Sequence, residues 1–151
     1  MKAPQPSLKT RALRYLSMRE YSRLELGRKL ARYAGEGEDV DALLDSLQAA
    51  NWLSTERFTE SLIHRKAARF GNAVIMAELQ SHGVQGEALQ EARNGLADSE
   101  LERARELWER KFGEIATDPA AKQKQLRYLM QRGFSQRAIR AAMQGSMPDM
   151  D

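Results

Sequence analysis

Cysteine is absent from the 151 residues, which excludes disulfides, thiolate metal ligands and thiol nucleophiles. Nowhere is there the uninterrupted apolar stretch of about 18 residues that a membrane span needs. The first ten residues carry Lys2 and Lys9 but not the apolar run of a secretory leader. A cytoplasmic protein with no membrane partner is expected. Only four prolines occur, and Pro119 alone lies in the interior. β-Branched residues are scattered, while Ala, Leu, Arg, Glu, Gln and Lys fill the chain, so the expected fold is all-α. Glycine-rich phosphate loops, nucleophile elbows and zinc-protease signatures are missing. Neither an enzyme nor a cofactor-dependent protein is expected.

Charge is unevenly spread. Residues 1–34 hold nine basic and two acidic side chains, residues 35–60 one basic and seven acidic, and residues 119–147 six basic and none acidic. The local balances are thus +7, −6 and +6, against a formal total of +3. Basic ends of this kind meet either phosphates or the acidic face of a protein.

Helix punctuation is explicit. Leu8, Ala12, Tyr15 and Leu16 place an apolar stripe on a first helix, and Ser22 with Glu25 forms a capping box that opens a second, burying Leu26, Leu30 and Tyr33. Gly35 and Gly37 break that helix. Asp39 caps a third whose Val40, Leu43, Leu44 and Leu47 share a face, and Trp52 and Leu53 close the group. A second group follows, with Phe58, Leu62 and Phe70 on its first helix, Gly71 as the stop, Ile75 and Leu79 on the next, and Ala88, Leu89 and Ala92 on the last. A capping box at Ser99 and Glu102 starts a third group with Leu101, Ala104 and Trp108. Its later helices begin at Asp118-Pro119, carrying Leu126 and Leu129, and at Ser135, carrying Ile139. Nine helices in three groups of three are expected: residues 1–53 with a basic N-terminal segment, 54–97 and 98–145, then a flexible tail at 146–151.

The groups repeat. Met76, Leu79, Gly83 and Val84 recur as Leu126, Leu129, Gly133 and Phe134, about 50 residues on, and Leu89 matches Ile139. Two apolar anchors one turn apart, then a glycine in the left-handed position and an apolar residue folded back on the last turn, describe one way of ending a helix. The first group has only the looser Leu26, Leu30 and Ala34. Units this small gain stability by stacking, and stacked units make an elongated, curved body with a long face. A compact helical bundle is the alternative.

Candidate binding residues follow from charge. Arg65 and Arg69 lie one turn apart with Lys66 beside them, and Arg127, Arg132, Arg137 and Arg140 stud the last group; Arg28 and Arg32 form a similar pair in the first. Each set taken alone is an ordinary solvated face, and gains meaning only if stacking aligns them. Glu60 with His64 and Glu78 with His82 are spaced like helical metal ligands. Surface helix pairs are the simpler reading, and no metal is expected. Tyr15, Tyr33, Trp52, Phe58, Phe70 and Trp108 fall at apolar-face positions and read as core.

The segment Gly71–Val84 (GNAVIMAELQSHGV), preceded by Glu56-Arg57-Phe58 and Arg65, resembles the central repeat of the RecX family of recombination regulators. Ser22-Arg-Leu-Glu-Leu26 with Lys29-Leu30 extends the resemblance in the first group, as do Leu126-Arg-Tyr-Leu129 and Arg132-Gly-Phe-Ser135 in the third. One departure is visible, Ser54-Thr55 where the family often has an aspartate, and both can cap a helix. The resemblance implies three tandem three-helix repeats that bind the groove of RecA filaments on single-stranded DNA. It further implies negative modulation of ATP hydrolysis, strand exchange and coprotease activity. It brings no catalytic residues. The expected partner is therefore the RecA nucleoprotein filament, with weak non-specific binding to single- or double-stranded DNA, and a monomer is expected. The competing reading is a helix-turn-helix DNA-binding protein whose last helix enters the major groove through Arg137 and Arg140.

Overall fold

The computed structural model describes residues 4–144. The tail expected at 146–151 lies outside them. Among the described residues there are eight helices and no strand: α1 (Leu8–Met18), α2 (Arg23–Ala31), α3 (Val40–Ala49), α4 (Thr55–Lys66), α5 (Asn72–Ser81), α6 (Gly86–Lys111), α7 (Pro119–Gln131) and α8 (Gln136–Met143). Six N-termini are closed by a side-chain oxygen accepting from the third residue on, at Ser7, Ser22, Asp39, Ser54, Asp118 and Ser135. α5 and α7 end alike. Gly83 and Gly133 adopt φ of 83° and 91°, and the N–H groups of Val84 and Phe134 return to the carbonyls of Leu79 and Leu129. Val84 and Phe134 are then buried, as the repeat requires.

Three apolar clusters follow one another along the chain. Leu8, Ala12, Leu26, Leu30, Leu44 and Leu47 build the first, Phe58, Leu62, Ile75, Leu79 and Leu96 the second, and Ala104, Trp108, Leu129, Phe134 and Ile139 the third. Each buried leucine contributes about 1.5–3 kcal/mol.

The ninth expected helix is fused to its predecessor. α6 runs unbroken for 26 residues through Ser99, whose hydroxyl turns back to the Leu96 carbonyl at 3.4 Å instead of capping a new start. Unbroken helix keeps the backbone hydrogen bonds that a cap would have to replace. It also lets α6 serve two clusters, giving Ala92 and Leu96 to the second and Ala104, Leu107 and Trp108 to the third. The border expected between residues 97 and 98 therefore falls inside a helix.

Two aromatics expected in the core lie outside it. Tyr33 is 47% exposed and Trp52 56% exposed. α2 ends before Tyr33, whose ring is covered by the Arg11 guanidinium at 3.8 Å. After α3 the chain turns at Asn51 (φ 66°), so that Leu53 takes the inward place and Trp52 faces out. Gly71 also has a different task from the stop expected of it. It is the N-cap of α5, kept small by the backbone of Gly133.

Candidate functional site

The second and third helix groups meet at a joint whose backbone parts touch directly. The Gly71 N–H donates to the Arg132 carbonyl at 2.7 Å, and that of Ala73 to the Gly133 carbonyl at 3.1 Å. The carboxylate of Glu100, buried on α6, accepts from the Asn72 N–H at 2.9 Å through one oxygen and from the Ser135 hydroxyl at 2.7 Å through the other. It thereby joins the start of α5 to the start of α8, where helix dipoles favour a negative charge. Arg103, one turn along α6, donates to the carbonyls of Ala67 and Phe70 at 3.2 and 2.8 Å and to the Asn72 side chain. Burial pulls its guanidinium pKa down, and Glu100 opposes that shift. Arg110 donates to the Ala68 carbonyl at 2.7 Å. The 67–72 connection is thus held from α6 along most of its length.

Cations gather on this fixed frame. A tight turn after α4 brings Phe70 back beneath Lys66, with its N–H donating to the Lys66 carbonyl at 2.9 Å. Lys66, Arg69 and Arg132 then surround the Phe70 ring at 5.2, 5.8 and 5.1 Å from its centroid. Arg132 also lies 5.1 Å from the Tyr128 ring, and Lys111 lies 5.3 Å from it. Phe112 meets Tyr128 edge-on with centroids 5.5 Å apart. Each cation near a ring adds about 0.5–1 kcal/mol at exposed or partly exposed positions. The rings hold the charged groups in place without neutralising them. Lys66 has one carboxylate near, Glu78 at 3.8 Å. Arg69, Arg132 and Lys111 have none among the described residues.

Of the residues expected from charge, Lys66, Arg69 and Arg132 are brought together here from two helix groups. Arg65 and Arg127 are exposed on α4 and α7, and Arg137 and Arg140 on α8; none of the four stacks on these rings. Lys111, Tyr128, Glu100 and Arg103 escaped sequence reasoning. The partners of Glu100 and Arg103 lie across the joint, while Lys111 meets Tyr128 from another helix of the same group. Arg28 lines a polar hollow with Lys29, Arg32 and His82 at the edge of the first group. His82 stacks against Phe58 at 4.8 Å and hydrogen-bonds the Ser22 hydroxyl at 2.9 Å, so it ties the first group to the second. No group of three or more His, Asp or Glu side chains suited to a metal occurs among the described residues. Nor is any described helix long and apolar enough to cross a membrane.

Fold and surface together define an all-helical protein of repeated small units with a cationic, ring-supported face. The family profile described as "RecX, third three-helix domain" matches residues 98–143. The Regulatory protein RecX of Herminiimonas arsenicoxydans is 58% identical, with 97% of each chain covered. That of Herbaspirillum seropedicae is 53% identical over 100% of this chain and 98% of its own. The crystal structure of RecX from Lactobacillus salivarius superposes with a TM-score of 0.76 at 22% identity, covering 91% of this chain and 92% of that one. The chain belongs to the RecX family of regulatory proteins.

Proposed function

We propose that this protein is a cytoplasmic negative regulator of the RecA recombinase, acting as a monomer in the helical groove of RecA filaments on single-stranded DNA. It restrains ATP hydrolysis, strand exchange and coprotease activity there. Family membership supports the class of function. The observation that carries the contact surface is the convergence of Lys66, Arg69, Lys111 and Arg132 on Phe70 and Tyr128. A polyanionic filament is met best by fixed cations, because little side-chain entropy remains to be lost on binding. Arg65, Arg127, Arg137 and Arg140 extend the same positive field around the joint. In this reading residues 1–53, 54–97 and 98–145 act as three units that together span neighbouring RecA subunits. The protein then hinders both subunit addition and access of the protein substrates that RecA helps to cleave.

The test is the single-stranded-DNA-dependent ATPase of RecA, titrated with this protein, with a gel shift on bare DNA as control. Inhibition well below one copy per RecA, beside weak and salt-labile binding to bare DNA, is the expected result. Unchanged ATPase at stoichiometric amounts overturns the reading. A helix-turn-helix DNA-binding role draws support from α8, which is capped by Ser135 and carries exposed Arg137 and Arg140. It requires a sequence preference in the same gel shift.

A further inference from the structure

Between α7 and α8 the third helix group leaves an open groove of about 530 Å³. Its floor is aliphatic and thioether, made by Ile115, Leu126, Met130, Ile139 and Met143. Ile115 is 39% and Met130 51% exposed, although both are large and apolar. Met76, the counterpart of Leu126, is 7% exposed, whereas Leu126 is half-open. Lys122 and Arg140 stand at the rim, with no carboxylate partner among the described residues. Between Pro119 and Gln144 the chain has six basic side chains and not one acidic one.

We propose that this groove is a docking site for an acidic amphipathic helix of a protein partner, which lays two or three large apolar side chains on the floor and its carboxylates against Lys122 and Arg140. Leu126 with Met130 and Ile139 with Met143 are each one helical turn apart, a spacing that suits the apolar face of a docked helix. The methionines let the floor adapt to different apolar shapes. The surrounding charge selects against basic segments. Among the described residues no aromatic ring lines the groove, so it lacks the stacking platforms by which single-stranded nucleic acids are held. The site shares only Arg140 with the proposed RecA-binding face and uses none of Lys66, Arg69, Lys111 or Arg132, so peptide binding and RecA inhibition can be lost separately.

The test is methyl NMR on this protein, titrated with a synthetic glutamate-rich helix of about 16 residues carrying leucines on one face. A peptide of the same composition with its leucines scattered is the first control, and an oligothymidylate of similar length the second. Saturable shifts of the Ile115, Leu126, Met130, Ile139 and Met143 methyls are expected, with roughly tenfold weaker binding of the scattered peptide. Met130→Glu should weaken the first peptide by a similar factor, with an unchanged Tm because Met130 is exposed. Four results overturn the proposal: silent groove methyls, equal binding of both peptides, a stronger response to the oligothymidylate, or concentration-dependent broadening of these methyls without peptide. The last result would make the groove a contact between copies of this chain.

Discussion

Gly71 and Gly133 approach so closely that a Cβ built on Gly71 would stand 2.3 Å from the carbonyl carbon of Gly133. Neither side can yield cheaply, since the contact is backbone to backbone and the flanking N–H groups are already bonded across it. Gly71 has φ of −82°, so its conformation suits any residue and only space requires glycine. Gly71→Ala is therefore expected to destabilise the protein by about 3 kcal/mol, read as a fall in the urea midpoint. Ala at exposed Gly95, which meets nothing within 4 Å, should instead stabilise α6 by about 0.5–1 kcal/mol.

Glu100 is the other half of that joint. Its two oxygens serve different helices, so Glu100→Ala leaves the Asn72 N–H and the Ser135 hydroxyl without their acceptor. A cost of about 2–4 kcal/mol is expected. Hydrogen exchange should locate the loss at the starts of α5 and α8, leaving the amides of α2 and α3 protected as before.

The hydroxyl of Thr59 is buried without a hydrogen-bond partner among the described residues. Thr59→Val keeps the shape and removes a desolvated polar group. A gain of about 1 kcal/mol, seen as a higher Tm, is the expected outcome. A lower Tm would mean that the hydroxyl has a bonding partner in solution.

Much of this fold was legible because helix ends are written locally. Ser22, Asp39, Ser54, Asp118 and Ser135 each cap through a neighbour three residues away, and Gly83 and Gly133 end helices through conformations that few other residues adopt. The failures have the opposite character. Ser99 carries a start signal, but the reward for continuing lies in Glu100 reaching Asn72 and Ser135, 28 and 35 residues distant. Trp52 reads as core until the turn at Asn51 gives its inward place to Leu53. In the candidate site, Lys66, Arg69 and Arg132 were visible as charges, while Lys111 entered only through the approach of the end of α6 to Tyr128 on α7, and Phe70 met Arg132 only when two helix groups were joined.

Acid sensitivity has one identifiable source in the first group. The Arg19 guanidinium, bonded to Glu25 at 2.7 Å, holds that carboxyl below its usual pKa, against a smaller opposing effect of burial. A carboxyl with a lowered folded pKa stabilises the fold fully above its unfolded pKa, about 4.5. The contribution disappears as pH falls through the lower folded value. Because the pair is partly exposed, it is worth less than about 1 kcal/mol. Arg19→Gln should lower the Tm slightly at pH 7 and flatten its decline between roughly pH 5 and 3. A decline of unchanged steepness would assign the acid sensitivity elsewhere.

The cations of the joint differ in how they are held, and this ranks their expected effects on RecA. Arg132 lies at 5.1 Å from both Phe70 and Tyr128, whereas Arg65 is exposed and stacks on neither. A side chain already fixed in the free protein loses little entropy on binding, so Arg132 should matter more than Arg65 at equal charge. Arg69→Glu with Arg132→Glu is expected to raise the concentration needed for half-inhibition of the RecA ATPase at least about tenfold, and Arg65→Glu by only about threefold. Arg132→Lys is the discriminating variant. It keeps the charge but loses the planar group that lies between the rings, so a loss of roughly threefold to fivefold is expected if fixation matters. Inhibition as strong as that of the unaltered protein would show that net positive field alone accounts for the contact. Thermal melts of all three variants belong beside the assay, because Arg132 is half-buried and its carbonyl accepts from Gly71.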